Sequence, residues 1–172
     1  MTEPISTRNL DRYGSAELPW GRPRDILASD TPEADLTFFV ASVRPDGRPH
    51  SAGVGAVWVD GALYFTSGPG TLKSRNLAAN PACSVSVRMR GIDLVLEGEA
   101  HRVTDSSTLE RVVGVYRTSG WPAEVDGDAF TAPYNAPSAG PPPWYLYRLT
   151  LRTAVGVATA EPHGATRWDF AH

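Results

Sequence analysis

Cysteine and lysine are almost missing from this 172-residue sequence. The single cysteine, Cys83, excludes an internal disulfide framework and suits a reducing compartment. It opens a strand-like stretch among apolar residues and reads as an inert core thiol. Long apolar runs are missing too. None approaches the roughly 20 residues that span a bilayer, and the opening MTEPISTRNLDRYG lacks the apolar core of a secretory signal. A cytoplasmic protein with no membrane partner is expected. There is no cationic stripe: net charge is −3 and the arginines are scattered, which argues against nucleic acid as a partner. Metal-ligand spacing is missing, because His101, His163 and His172 stand apart and one cysteine builds no zinc site. Ser67 has no histidine–acid partners in view, so serine-hydrolase chemistry is set aside.

What is present is an ordinary globular composition, 41% apolar and 20% charged, in a chain of one-domain size. Residues 1–19 are polar and read as a surface-wrapping stretch. Trp20 to Leu27 suits a short helix with Pro23 in its first turn. Residues 1–35 thus form an N-terminal arm with a short helix, and residues 36–172 the main domain. In that domain Leu36–Arg44 is β-branched and aromatic and stops at Pro45-Asp46-Gly47, a turn-forming triplet. Pro49–Val59 is a second strand, closed by the two-residue turn Asp60-Gly61 into a third, Ala62–Ser67. Ala82–Arg90 and Ile92–Thr104 follow, then a helix over Ser106–Tyr116 capped by Asp105. Residues 120–143 hold six prolines and read as an irregular loop, before a last strand over Trp144–Ala158. About six antiparallel strands with few helices predict a closed or partly closed barrel, mainly β. Side chains fill the interior of so small a barrel, so a cofactor would sit on its outer wall, completed by a second subunit.

The stretch GPGTLKSRNLAANP, residues 68–81, holds the only lysine; the other fifteen cations are arginine. Thr71 suits an N-cap, and Asn80-Pro81 stops the helix. A helix start presents unpaired N–H groups and a partial positive charge, which together favour an anion. Lys73 and Arg75 fall in the first turn, where they oppose the dipole unless an anion lies between them. Thr66, Ser67 and Ser74 add neutral hydroxyls. The bland alternative is a solvated helix face with two stray charges, since Gly-Pro-Gly is no recognised phosphate loop. His50, on the second strand, is a candidate proton donor and equally a surface hydrogen-bonder. Trp121, Tyr134 and Trp144 flank the proline-rich loop as an aromatic wall or as its anchors. Arg167 and Trp168 either cover a ligand or pack on the barrel.

The order of these pieces resembles the pyridoxamine 5'-phosphate oxidase-like superfamily of flavin and deazaflavin oxidoreductases. It runs from a strand through RPDGRP and a second strand to DGALYFTSGPGTLKSRNLAANPACSVSV, then a long strand ending EGEAHRVTD. The tail ATAEPHGATRWDF is also similar, so the likeness covers roughly residues 36–170. It implies a six-stranded antiparallel split β-barrel of the FMN-binding type. It also implies a homodimer with two cofactors at the subunit interface, acting on a small-molecule substrate. Carried over, the basic pair Lys73 and Arg75 holds the cofactor phosphate, with Ser74 beside it. Thr66 and Ser67 lie by the ring and ribityl chain, and the strand through Gly53, Val54 and Gly55 passes along the ring. The order Lys-Ser-Arg departs from the adjacent Arg-Lys of true pyridoxamine phosphate oxidases, and their C-terminal tryptophan–arginine segment has no match here. The pattern Lys73-x-Arg75-Asn76-Leu77 is like that of branches using coenzyme F420. The expectation is hydride transfer between F420 and a small planar unsaturated substrate. The alternatives are FMN-dependent oxidoreduction, or non-catalytic binding of flavin, deazaflavin or haem.

Overall fold

Turn chemistry and alternation build the sheet. The computed structural model describes residues 3–29, 36–137 and 139–171. Strand β2 (Phe38–Val43) buries Phe38, Val40 and Ser42 and turns the intervening residues outward. Gly47, at φ 83°, reverses the chain into β3 (Pro49–Val54). Asp60 and Gly61, at φ 51° and 81°, join β4 (Ala56–Val59) to β5 (Ala62–Ser67) in the two-residue turn whose twist suits a hairpin. Helix α2 spans Leu72–Ala79, after which β6 (Ala82–Met89) and β7 (Ile92–Val103) pair across Gly91. Strand β10 (Tyr145–Ala158) closes the structure.

The pairings run β3–β2–β6–β7–β10–β5–β4, all antiparallel. Because β3 and β4 are one stretch of chain broken at Gly55, this path returns to its start and makes a barrel of six strands. The expected mainly β, antiparallel, split-barrel architecture is therefore what forms, with the second strand divided in two. Its interior holds Val40, Phe65, Val85, Leu94, Leu96 and Leu149. A second core lies outside the wall, under α3 (Ser106–Thr118). There Leu109, Val112, Val113 and Tyr116 recur at helical spacing and meet Val59, Tyr64 and Leu146. Asp105 caps this helix by accepting from the Thr108 N–H at 2.9 Å.

Two expectations change. The first 19 residues do more than wrap the surface. Strand β1 (Ser6–Asn9) pairs with β11 (Ala165–Asp169), and Leu18 and Trp20 enter the barrel core beside Phe170. Helix α1 (Gly21–Leu27) forms as expected, with Pro23 in its first turn. The arm boundary expected at residue 35 lies outside the described residues. The proline-rich stretch is not wholly irregular, since β8 (Glu124–Asp126) and β9 (Ala129–Thr131) form a hairpin around Gly127 at φ 61°. Phe130 exchanges two backbone hydrogen bonds with Trp144, which seals the stretch against the start of β10. Among the described residues no helix is long and apolar enough to cross a membrane.

Candidate functional site

Helix α2 starts where expected because its entry is over-determined. Thr71 Oγ1 accepts from the Ser74 N–H at 3.3 Å and donates to the Gly68 carbonyl at 2.9 Å. Ser67 Oγ lies 2.8 Å from both Thr71 Oγ1 and Ser74 Oγ, so three hydroxyls lock the turn to the end of β5. Gly68 is required there, since a Cβ would stand 2.6 Å from the Ala139 carbonyl oxygen of the proline-rich loop. Asn76 Nδ2 donates to Ser42 Oγ at 3.0 Å in the interior, tying α2 to β2 directly opposite His50.

Above this entry lies a cleft of about 590 Å³, lined by His50, Ala52 and Gly53 of β3, by Gly70 to Lys73, and by Ala139. Lys73 is only 6% exposed. No carboxylate among the described residues pairs with it, and burial alone holds its pKa below the ordinary 10.5. A buried cation without a counter-ion is costly unless a ligand supplies the charge. His50 Nδ1 is also buried without a hydrogen-bond partner among the described residues. Gly70 has open space where a Cβ would be, and at Gly53 the nearest atom is Phe39 Cε1 at 3.9 Å. The backbone is thus open to a ligand at Gly53 and Gly70, in a cleft that also holds Lys73 and His50.

A second cleft of about 1080 Å³ lies between α1, the C-terminal turn of α3 and the loop at Tyr134–Pro137. Phe38, Trp58, Trp121 and Tyr134 line it, together with Gly55 and Thr66. The Tyr116 hydroxyl donates to the Gly55 carbonyl at 2.9 Å, and burial raises the phenol's pKa, so it stays neutral. Trp121 packs edge-on to Tyr116 at 4.9 Å and lies 5.6 Å from Trp144, which itself is buried and lines neither cleft. Trp121 and Tyr134 therefore act as wall and Trp144 as anchor.

The structure gathers some expected site residues and separates others. Lys73 meets Gly53 and His50 in the smaller cleft, although both lie twenty or more positions before it in sequence. Arg75 does not join them: residues two apart on a helix stand about 200° apart, so burying Lys73 leaves Arg75 exposed. Ser67 and Ser74 turn inward and hold each other and Thr71. Thr66 and Gly55 face the larger cleft, and Val54 packs toward the barrel core. Trp168 has no exposed surface. Its indole N–H donates to the Leu18 carbonyl at 3.2 Å and its ring lies 5.3 Å from Trp20, so it is a core residue and lines neither cleft. Cys83 is half-buried with its thiol pushed up to about 12 by burial, as an inert thiol should be. No motif in the sequence marks the roles of Asn76 and Tyr116 at the site; the one local signal is a carboxamide in the middle of a short helix.

Fold and site together define a split-barrel protein with an anion-ready cleft at a helix entry. The family model for pyridoxamine 5'-phosphate oxidase matches residues 28–144, and the chain belongs to that family. Among solved structures, a nimC/nimA family protein from Clostridium acetobutylicum is similar over 86% of this chain and 93% of that one, at 16% identity and a TM-score of 0.56. A pyridoxamine 5'-phosphate oxidase-related, FMN binding protein from Nostoc punctiforme is similar over 86% and 89%, at 15% identity and 0.55. The General Stress Protein 26 from Bacillus anthracis is similar over 77% and 88%, at 19% identity and 0.52. At these identities the likeness is one of fold. No curated relative matches the chain.

Proposed function

We propose that the smaller cleft holds the phosphate of a flavin-type cofactor and that the protein is an oxidoreductase. In this reading a hydride passes between coenzyme F420 and a small planar unsaturated substrate. The observation that carries it is the Lys73 ammonium, buried in a cleft with no counter-ion among the described residues. A phosphate placed there meets that charge and the N-terminus of α2. Thr71 stays fixed by its hydroxyl network, and Gly70 and Gly53 leave the floor open for a close approach. When bound, the cofactor supplies the hydride chemistry; the chain supplies position and charge. The Lys73-Ser74-Arg75-Asn76-Leu77 pattern favours F420, and FMN is the alternative. The reading includes a homodimer with the cofactor at the interface, since Phe39 beside Gly53 is 47% exposed on the outer sheet face. A monomeric mass by light scattering in the presence of cofactor would remove the dimer.

Parallel titrations with F420 and FMN, followed by fluorescence polarisation, test the assignment. Tight binding of F420 alone supports it. Tight binding of FMN alone transfers the protein to the flavin alternative, and binding of neither overturns the cofactor reading.

A further inference from the structure

Cys83, Tyr116, Tyr147 and Lys73 are all nucleophilic when deprotonated, and burial acts on them with opposite signs. It pushes the Cys83 thiol up to about 12 and raises the phenols of Tyr116 and Tyr147, which disfavours the anions that react. At Lys73 it disfavours the ammonium and so favours the free amine, which is the nucleophile. The geometry suits a reaction there. Lys73 is almost fully enclosed by protein, yet it lines the cleft of about 590 Å³, where a small molecule meets it. No carboxylate among the described residues holds it protonated. Ala52, Gly53, Gly70, Leu72 and Ala139 keep the surroundings small and apolar, and the Thr71 hydroxyl is committed to Gly68, Ser67 and Ser74. The described lining adds one further titratable group, the His50 imidazole, whose Nδ1 is buried without a partner among the described residues. An imidazole carries protons near neutrality.

We propose that Lys73 is a covalent capture site for a small uncharged aldehyde, joined to its Nζ as an imine. The amine nitrogen attacks the carbonyl carbon and a C–N bond forms. The carbinolamine then loses its hydroxyl as water, the oxygen coming from the aldehyde and the two hydrogens from the amine. His50 carries the proton from the nitrogen to the departing hydroxyl. No oxidant or reductant enters, and hydrolysis reverses the step. An aldehyde bearing a carboxylate or phosphate is the poorer partner, because its charge returns Lys73 to the ammonium. That capture occurs does not rest on the cofactor reading; that it excludes a cofactor phosphate from the cleft, and so switches the site off reversibly, does.

The test traps the imine with sodium cyanoborohydride, using propanal as the probe, and maps the product by mass spectrometry. Lys73 is the only lysine, so one peptide reports it and the chain's α-amino group serves as internal reference. In the folded protein Lys73 should be alkylated about tenfold or more faster than in the chain unfolded in guanidinium chloride at the same pH. Glyoxylate, a carboxylated aldehyde, should lose that advantage. His50→Gln should slow trapping in the folded protein by about threefold or more and leave the unfolded rate unchanged. A folded rate equal to or below the unfolded one, or labelling of the α-amino group alone, would overturn the proposal. An unchanged rate in folded His50→Gln would remove the imidazole from the reaction. Inorganic phosphate should protect Lys73; trapping undiminished by phosphate counts against the cofactor reading alone.

Discussion

Lys73 and Arg75 stand two residues apart in the first turn of α2 and occupy opposite environments, one buried in a cleft and one in solvent. The two cations cannot grip an anion as a symmetric pair. Lys73 carries the fixed charge, and Arg75 points to solvent. Lys73→Ala is expected to weaken F420 or FMN binding by about 1.5–3 kcal/mol, the scale of a charge-assisted hydrogen bond. Arg75→Ala is expected to cost less, within about 1 kcal/mol. Titration of both variants checks the order; an equal loss would return Arg75 to the site.

A charge held without a partner among the described residues is kept at the expense of stability. Lys73→Met removes the ammonium and keeps the stem that packs beneath the cleft. In the absence of ligand its unfolding free energy should rise by about 1 kcal/mol, a shift of roughly 2–4 °C in Tm for a domain of this size. Calorimetry without ligand measures it, and a fall in Tm would mean that the charge is satisfied within the fold.

The pH dependence follows from the same residue. Burial lowers the Lys73 pKa in the folded state below its ordinary 10.5. Between the two values the unfolded chain binds more protons, so stability rises with pH through that interval and the penalty is fully present below it. Anion affinity runs the opposite way, falling as Lys73 loses its proton. Urea unfolding across the alkaline range should show the wild-type rise and its loss in Lys73→Met.

Trp168 lies against Gly156, where a Cβ would stand 2.8 Å from the indole ring and 2.9 Å from Ile92 Cδ1. Neither neighbour has room to retreat inside the core. Gly156→Ala is expected to destabilise the protein by about 1–3 kcal/mol, with cofactor affinity unchanged wherever the protein remains folded. A selective loss of affinity would restore Trp168 to the site.

Local chemistry made much of this protein legible. Thr71 and Asn80-Pro81 bound α2 at its observed ends, and the Asp60-Gly61 hairpin and the Asp105 cap stand where read. What stayed hidden depends on residues far apart in the chain. Nothing in Ser6–Asn9, all exposed, signals a strand until Ala165–Asp169 arrives to pair with it. The break at Gly55 becomes visible only once β3 and β4 pair with different neighbours. The β8–β9 hairpin did carry a signal, Asp126-Gly127, masked by the prolines around it. Of the site, the helix start at Thr71 was readable. The split between Lys73 and Arg75 was implicit in helical geometry, and the meeting of Lys73 with His50 required the barrel.

Strand β10 pairs with β5, β7 and β11 at once, although it begins only at Tyr145. During synthesis this makes the order of emergence a hazard. The open edges of β5 and β7 leave the ribosome well before their partner exists. At ~5–20 residues per second, β5 waits roughly 5–20 s for the end of β10. For that interval the β5 edge stays unpaired, joined by the β7 edge once Val103 is made, and both are open to any neighbour. Protection of those edges during synthesis is therefore a requirement separate from the stability of the finished barrel.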